Sequence, residues 1–316
     1  MSTTNLKAAG PVLKRSILLL PALLVTLPSL AGCRGAALSL AADAAAASGT
    51  SYASDDDPEL VRHAVPFGLK TMEGLLEEKP RHVPLLTSLT SSFTQYAYAF
   101  VQSDADQADL QGKLAEVREG RERARKLFLR ARDYGLRGLE EKHEGLGKAL
   151  RDGKDVGRAL GEAEREDVEL LYWTASAWAL AISNGKGDMG LVAELPAPAA
   201  MMDRAIALDE AWGEGALHEF FVTFDTVRSE AQGGGAARAK AHYERAVALS
   251  MNKKLGPHVA WAEGVLVQRQ DRDAFTRVLE EVVRADPGQV PRYRLANILA
   301  QRRARALLDH ADDLFL

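Results

Sequence analysis

The residue whose setting prescribes a reaction is Cys33. Leu30-Ala31-Gly32 stand immediately before it, preceded by Lys7, Lys14, Arg15 and the apolar run Ser16 to Leu27. A basic start, a short apolar core and small residues at the break make a secretory signal, and Leu-Ala-Gly-Cys is the arrangement that a lipoprotein signal peptidase cuts. Cys33 is then expected to become a diacylated, then acylated, N-terminus. The bland alternatives are an ordinary signal with a chance cysteine, or a retained membrane helix. Against the second, Pro21 and Pro28 interrupt the run, which falls short of the ~20 residues of a bilayer span. Several acyl chains at ~0.8 kcal/mol per buried methylene anchor a chain firmly, so the protein is expected to be anchored, not spanning.

Other chemistry-bearing patterns fall short of a site. His218-Glu219 begins like a zinc-protease helix, but the position four residues on is Val222, so the second ligand is absent. Asp55-Asp56-Asp57 lacks the glycine and terminal glutamate of a calcium loop. Asp104, Asp106 and Asp109 fail in the same way. Gly233-Gly234-Gly235 has no following Lys-Ser or Lys-Thr to cradle phosphate. The seven histidines show no ligand-like clustering. The expectation is a protein that is not an enzyme, with no metal and no cofactor.

A sharper possibility concerns aromatic side chains. Phe93, Tyr96, Tyr172, Trp173, Trp178, Phe220, Phe224 and Trp261 are candidates to line an apolar ligand path, with hydroxyl and indole N–H groups orienting a solute. The competing reading is that stacked helices bury such residues as core. Composition narrows the classes further. Cys33 is the only cysteine, so no intramolecular disulfide exists. Of 40 basic residues three precede Cys33, whereas all 44 acidic residues follow it. The body is therefore acidic, which argues against nucleic acid.

These residues need elements to carry them. Residues 1–32 are expected to be the signal, 33–57 the lipidated cysteine and a flexible tether, and 58–316 a helical domain. In Ala239 to Pro287, Ala239, Tyr243 and Ala246 lie at i, i+4 and i+7, as do Phe275, Leu279 and Val282. Small, large and small side chains on one face let a neighbouring helix approach closely. The pattern resembles the second helix of a tetratricopeptide repeat, and the equivalent Ala246 and Val282 are 36 residues apart, near the ~34-residue period. Ala124, Phe128 and Ala131 repeat it. Taking Leu75, Ala131, Ala205, Ala246 and Val282 as equivalent gives separations of 56, 74, 41 and 36, so the array is irregular. Glycines at 135, 138, 145, 147, 153, 157 and 161 predict short helices and turns over Gly135 to Glu164. No segment shows strand alternation. The expected fold is all-α, an irregular α-α solenoid of tetratricopeptide-like helical hairpins with extra helices.

Arg294-Leu295-Ala296-Asn297, Gln301-Arg302-Arg303-Ala304, Leu307-Leu308 and Asp312-Asp313-Leu314-Phe315 make the C-terminal segment distinctive. It resembles the closing helix of the TRAP-transporter T-component family, lipid-anchored periplasmic helical repeat proteins. The lipoprotein signal, Tyr172-Trp173 with Ala177-Trp178, and Ala239 to Leu249 followed by Val259 to Glu263 extend the likeness along the chain. The resemblance implies an accessory component of a tripartite, ATP-independent periplasmic transporter. It implies a periplasmic solute-binding protein as partner, a small organic or apolar ligand, and a homo-oligomer, plausibly a trimer. Arg34 rather than aspartate after the cysteine favours the periplasmic side of the outer membrane. The alternative function is a general repeat-type lipoprotein scaffold that joins envelope proteins and binds no ligand. Substituting Trp173→Ala and Tyr96→Ala separates path from core: core residues lower the melting temperature and leave ligand binding intact.

Overall fold

Helix starts in this chain are set by short polar side chains ahead of apolar periodic runs. Asp57 accepts hydrogen bonds from the backbone N–H of Glu59 at 3.0 Å and of Leu60 at 3.1 Å, with Pro58 in the first helical turn. Asp271 likewise caps Ala274 at 3.1 Å, and Asp188 caps Leu191 at 3.1 Å. The computed structural model describes residues 42–44 and 49–316. Cys33 and the signal segment lie outside the described residues.

In chain order the helices are α1 (Gly49–Ala53), α2 (Pro58–Glu78) and α3 (Val83–Tyr96), which continues through a π-helical turn, Ala97–Gln102, into α4 (Ser103–Leu110). Then come α5 (Leu114–Lys142), α6 (Leu146–Asp152), α7 (Val156–Gly161), α8 (Val168–Asn184), α9 (Met189–Ala193) and α10 (Pro196–Asp209). The second half holds α11 (Ala216–Thr226), α12 (Ala236–Leu249), α13 (Gly256–Trp261) with a second π-helical turn at Ala262–Leu266, α14 (Arg272–Arg284), α15 (Arg294–Asp309) and α16 (Ala311–Leu314). No strand occurs among the described residues. The all-α repeat expectation holds, with successive helices packed as neighbours: α3 on α5, α8 on α10, α11 on α12, α14 on α15.

The small, large, small faces are the contact surfaces. Ala124, Phe128 and Ala131 are fully buried, as are Ala239, Ala246, Phe275 and Leu279. One core joins α5, α8, α10 and α11 through Leu136, Leu171, Trp178, Met201 and Phe221. Another joins α12 to α15 through Trp261, Phe275, Leu279, Ala304 and Leu307. A third seats α2 and α3 on α5. In the segment expected to be a tether, Ala42 is buried in this third core, and Ser54 offers its carbonyl to Arg294. Pro66 does not break α2.

The glycine-rich stretch shows its expected short helices and turns only after Lys142, in α6 and α7. Helix α5 runs without interruption through Gly135 and Gly138, because these glycines serve the crossing with α8. A Cβ on Gly135 would stand 2.1 Å from Thr174 Oγ1, and one on Gly138 would stand 2.9 Å from Leu170 Cδ2. Only Gly145 and Gly153, both at positive φ, bound a helix by conformational freedom. Thr174 is fully buried and donates to the Leu170 carbonyl at 2.6 Å, so it has no room to retreat.

A polar chain lies where α11 meets α12. His218 Nδ1 and His242 Nδ1 are 2.8 Å apart, His218 Nε2 is 3.1 Å from Glu210 Oε1, and His242 Nε2 is 3.7 Å from Asp225 Oδ2. The contact between the rings needs one nitrogen donating and one accepting, so it holds a single proton. Burial, then His218, pushes the His242 imidazole down to about 4, and burial also lowers His218 against the pull of Glu210.

Two outcomes follow from these contacts. Gly135→Ala should destabilise the chain by about 1–3 kcal/mol through overpacking. Gly74→Ala, with open space around it, should stabilise α2 by about 0.5–1 kcal/mol; denaturant unfolding reads both. For His242 the folded value lies below the ordinary 6.5, so the unfolded chain binds more protons between the two values. Its contribution to stability is complete above pH 6.5 and is lost as pH falls towards about 4. His242→Phe should remove that part of the pH dependence in the same unfolding experiment.

Candidate functional site

The last long helix returns to the start of the array. Buried Asn297 accepts from Leu255 N at 3.0 Å and donates to the Lys253 carbonyl at 3.0 Å. Buried Gln301 donates to the carbonyls of Val282, Val283 and Ala285 at 3.0, 3.2 and 2.8 Å, satisfying the acceptors that the end of α14 leaves open. On the other side of α15, Arg302 pairs with Glu59 of α2 at 2.8 Å, and Arg294 donates to the Ser54 carbonyl at 3.3 Å. First and last elements of the domain therefore touch, and side chains from both halves face one another.

Tyr98 shows what lies between them. Its side chain keeps 57% of its surface open to solvent. Even so, its hydroxyl is held well above the ordinary phenol range, first by burial and then by Glu263, Glu219 and Asp106. A group both wetted and surrounded by charges from several helices sits in a concavity. Tyr172 of α8 is raised by burial and then by Glu219, and it feels Tyr98 as well. Burial raises the Glu219 carboxyl against Lys254, and raises Asp106 against Arg303 and Arg121. Burial opposes the Arg303 cation, but the charge and hydrogen bond of Glu263 outweigh it, with Arg303 Nε at 3.3 Å from Glu263 Oε2.

Tyr98, Asp106, Tyr172, Glu219, Glu263 and Arg303, from the two π-helical turns and from α4, α8, α11 and α15, thus stand within electrostatic reach of one another around this space. Tyr98 and Glu263 both fall in the π-helical turns, where one extra residue per turn re-aims side chains and which often mark functional sites. Lys254 stands at its margin, donating to the Gly213 carbonyl and lying 5.3 Å from the Tyr293 ring centre. The lining offers carboxylates, a paired guanidinium and phenols, a set that can bind and orient a solute. Among the described residues no group of three or more His, Cys, Asp and Glu is placed to hold a metal ion.

The structure divides the eight aromatic candidates. Tyr172 reaches the concavity, with Trp173 edge-on at 4.8 Å and Trp212 at 4.9 Å between ring centres. Half-buried Phe220 follows Glu219 on α11 and stacks on buried Phe224 at 4.9 Å. Buried Phe93 stacks on Tyr134 at 6.0 Å, and half-buried Tyr96 lies 5.7 Å from Phe100. Trp178 is buried in the first core and donates its indole N–H to Glu194 Oε2 at 2.7 Å. Trp261 is buried and stacked on Tyr243 at 5.1 Å. Sequence reasoning missed Glu219, Glu263 and Arg303 as a group. One signal was present for Tyr98: Tyr96, Tyr98 and Phe100 are spaced by two, which no single α-helical face accommodates.

A family model described as TRAP transporter T-component matches residues 54–315. An uncharacterised protein of Treponema pallidum (strain Nichols) is 29% identical over 267 residues, which cover 84% of this chain and 82% of that protein. The family match takes in every helix from α2 to α16, including α15 with its clamping amides and the residues that line the concavity. The chain belongs to the TRAP transporter T-component family.

Proposed function

We propose that this chain, an accessory component in TRAP transport, is anchored by Cys33 to the periplasmic face of the outer membrane. There it docks a periplasmic solute-binding protein and binds or passes a small organic ligand. The observation that carries the ligand part is the concavity at Tyr98, wetted and yet ringed by Glu219, Glu263, Asp106 and Arg303. A transport accessory needs selective contact with a solute and no bond-making step, and this lining supplies that. Membership of the T-component family supports the pairing with a transporter. The lipid anchor rests on the signal ahead of Cys33.

The anchor has a direct test. Cys33→Ser should abolish incorporation of radiolabelled fatty acid and leave the protein out of the outer-membrane fraction; unchanged labelling would refute the anchor. Capture of the tagged, anchored protein from cross-linked cells should recover a periplasmic solute-binding protein in mass spectrometry. Recovery of envelope-assembly proteins alone, with a monomeric body, would favour the scaffold function instead.

A further inference from the structure

The chain ahead of the helical domain is docked along α2. Ala42 is fully buried in the core to which α2 contributes Leu69, Met72 and Leu76. Asp43 Oδ1 lies 3.2 Å from Nε2 of His82, the residue that caps α3. Farther on, Tyr52 of α1 sets its hydroxyl against Gly68, where a Cβ would stand 3.7 Å from it. These parts of the segment expected to be a tether therefore belong to the body, and only residues 34–41 separate Ala42 from Cys33. Even fully extended, that length reaches about 30 Å.

The face of α2 turned away from that core is apolar and open. Leu60 and Phe67 lie two turns apart on it, 60% and 80% exposed, with Ala64, Thr71 and Gly74 on the same side. From Leu60 to Met72 the helix carries no acidic residue, in a body that is acidic as a whole. Exposed His63 and Lys70 flank Phe67. Lys70 pairs with Glu73, but that carboxylate is shared with Arg130 at 3.4 Å and Tyr134 at 2.6 Å, so the neighbourhood stays cationic. Single exposed apolar side chains are ordinary. Here two share one face of an acid-free stretch, beside the point where the chain leaves for its acylated end. Apolar side chains bordered by basic ones suit the boundary between lipid headgroups and acyl chains, where a lysine stem lies along apolar surface and its ammonium meets phosphate. We propose that this face of α2 rests on the bilayer that holds Cys33, with Leu60 and Phe67 entering the headgroup boundary. This rests on the Cys33 anchor and adds which face of the body meets the lipid. A contact too weak to bind a membrane alone suffices, because a short link to the anchor sets an effective concentration of the order of mM.

The test uses the acylated protein in vesicles of phosphatidylethanolamine and phosphatidylglycerol. Acylation occupies Cys33, the only native cysteine, so Phe67→Cys, Leu60→Cys and Met251→Cys each offer one thiol to an environment-sensitive nitrobenzoxadiazole label. Met251, between α12 and α13, is comparably exposed and serves as reference. Co-flotation with the vesicles checks the anchor, and thermal unfolding checks that the variants are folded. Labels at positions 60 and 67 should emit at shorter wavelength than the label at 251, and should lose fluorescence when the vesicles contain lipid with a nitroxide near its headgroup; the label at 251 should do neither. In protein that floats, unquenched labels at 60 and 67, or equal quenching at all three positions, overturn the proposal and leave the anchor standing. A blue shift at 67 without quenching by the nitroxide lipid marks a protein neighbour, a second copy included, and overturns it as well. Protein that does not float counts against both.

Discussion

Two buried amides fix α15 against the start of α13 and the end of α14, and the placement of Arg303 beside Tyr98 depends on them. Asn297 and Gln301 together meet backbone groups before α13 and at the end of α14 that would otherwise be buried without partners, and each such group left open costs about 1–3 kcal/mol. The ion pair between Arg302 and Glu59 is about half exposed on both sides. Pairs of that kind contribute roughly 0–1 kcal/mol. The amides therefore fix α15 in place, and the arginine chooses which surface it meets. Once α15 is fixed, Arg303 is carried into the concavity on the same helix, one residue from the outward-facing Arg302.

The body combines two packing regimes. Where α5 crosses α8, glycines at 135 and 138 bring side chains of one helix onto the backbone of the other, and the interface is dry and close-packed. Around Tyr98, itself 57% exposed, charged groups from several helices gather instead. The π-helical turns carry the helices between regimes, because Ala97 and Val101 stay in a core while Tyr98, between them, turns away from it. The polar chain through Glu210, His218, His242 and Asp225 sits at the α11–α12 junction, with His218 and Asp225 on the same helix as Glu219. Packing, polar satisfaction and site geometry thus meet on α11.

Much of this was legible from residue spacing. The i, i+4, i+7 faces at Ala124, Ala239 and Phe275 are buried as the pattern requires, since a helical period maps directly onto a contact face. One expectation failed in part, for an identifiable reason. The short helices and turns expected over Gly135 to Glu164 begin only after Lys142, because at Gly135 and Gly138 the use of glycine for close approach outweighs the roughly 1 kcal/mol propensity penalty. Asp57, the last residue of the segment expected to be a tether, caps the helix that begins at Pro58. The site was harder. Glu219, Glu263 and Arg303 come from three helices far apart in the chain, and nothing in local spacing announces that a closed array will bring them together. The aromatic candidates illustrate the same limit: Tyr172 and Trp178 lie on one helix at similar apolar spacing, yet one meets the concavity and the other a core.

The central claim is that Tyr98 lines a confined, wetted space and not an outer surface. With Cys33→Ser removing the sole cysteine, single Tyr98→Cys and Met251→Cys variants report on this by labelling rate, Met251 being 72% exposed. A small methanethiosulfonate should label both positions, and a polyethylene glycol maleimide should label position 251 while leaving position 98 unmodified. Equal labelling of the two positions by the bulky reagent would contradict the account.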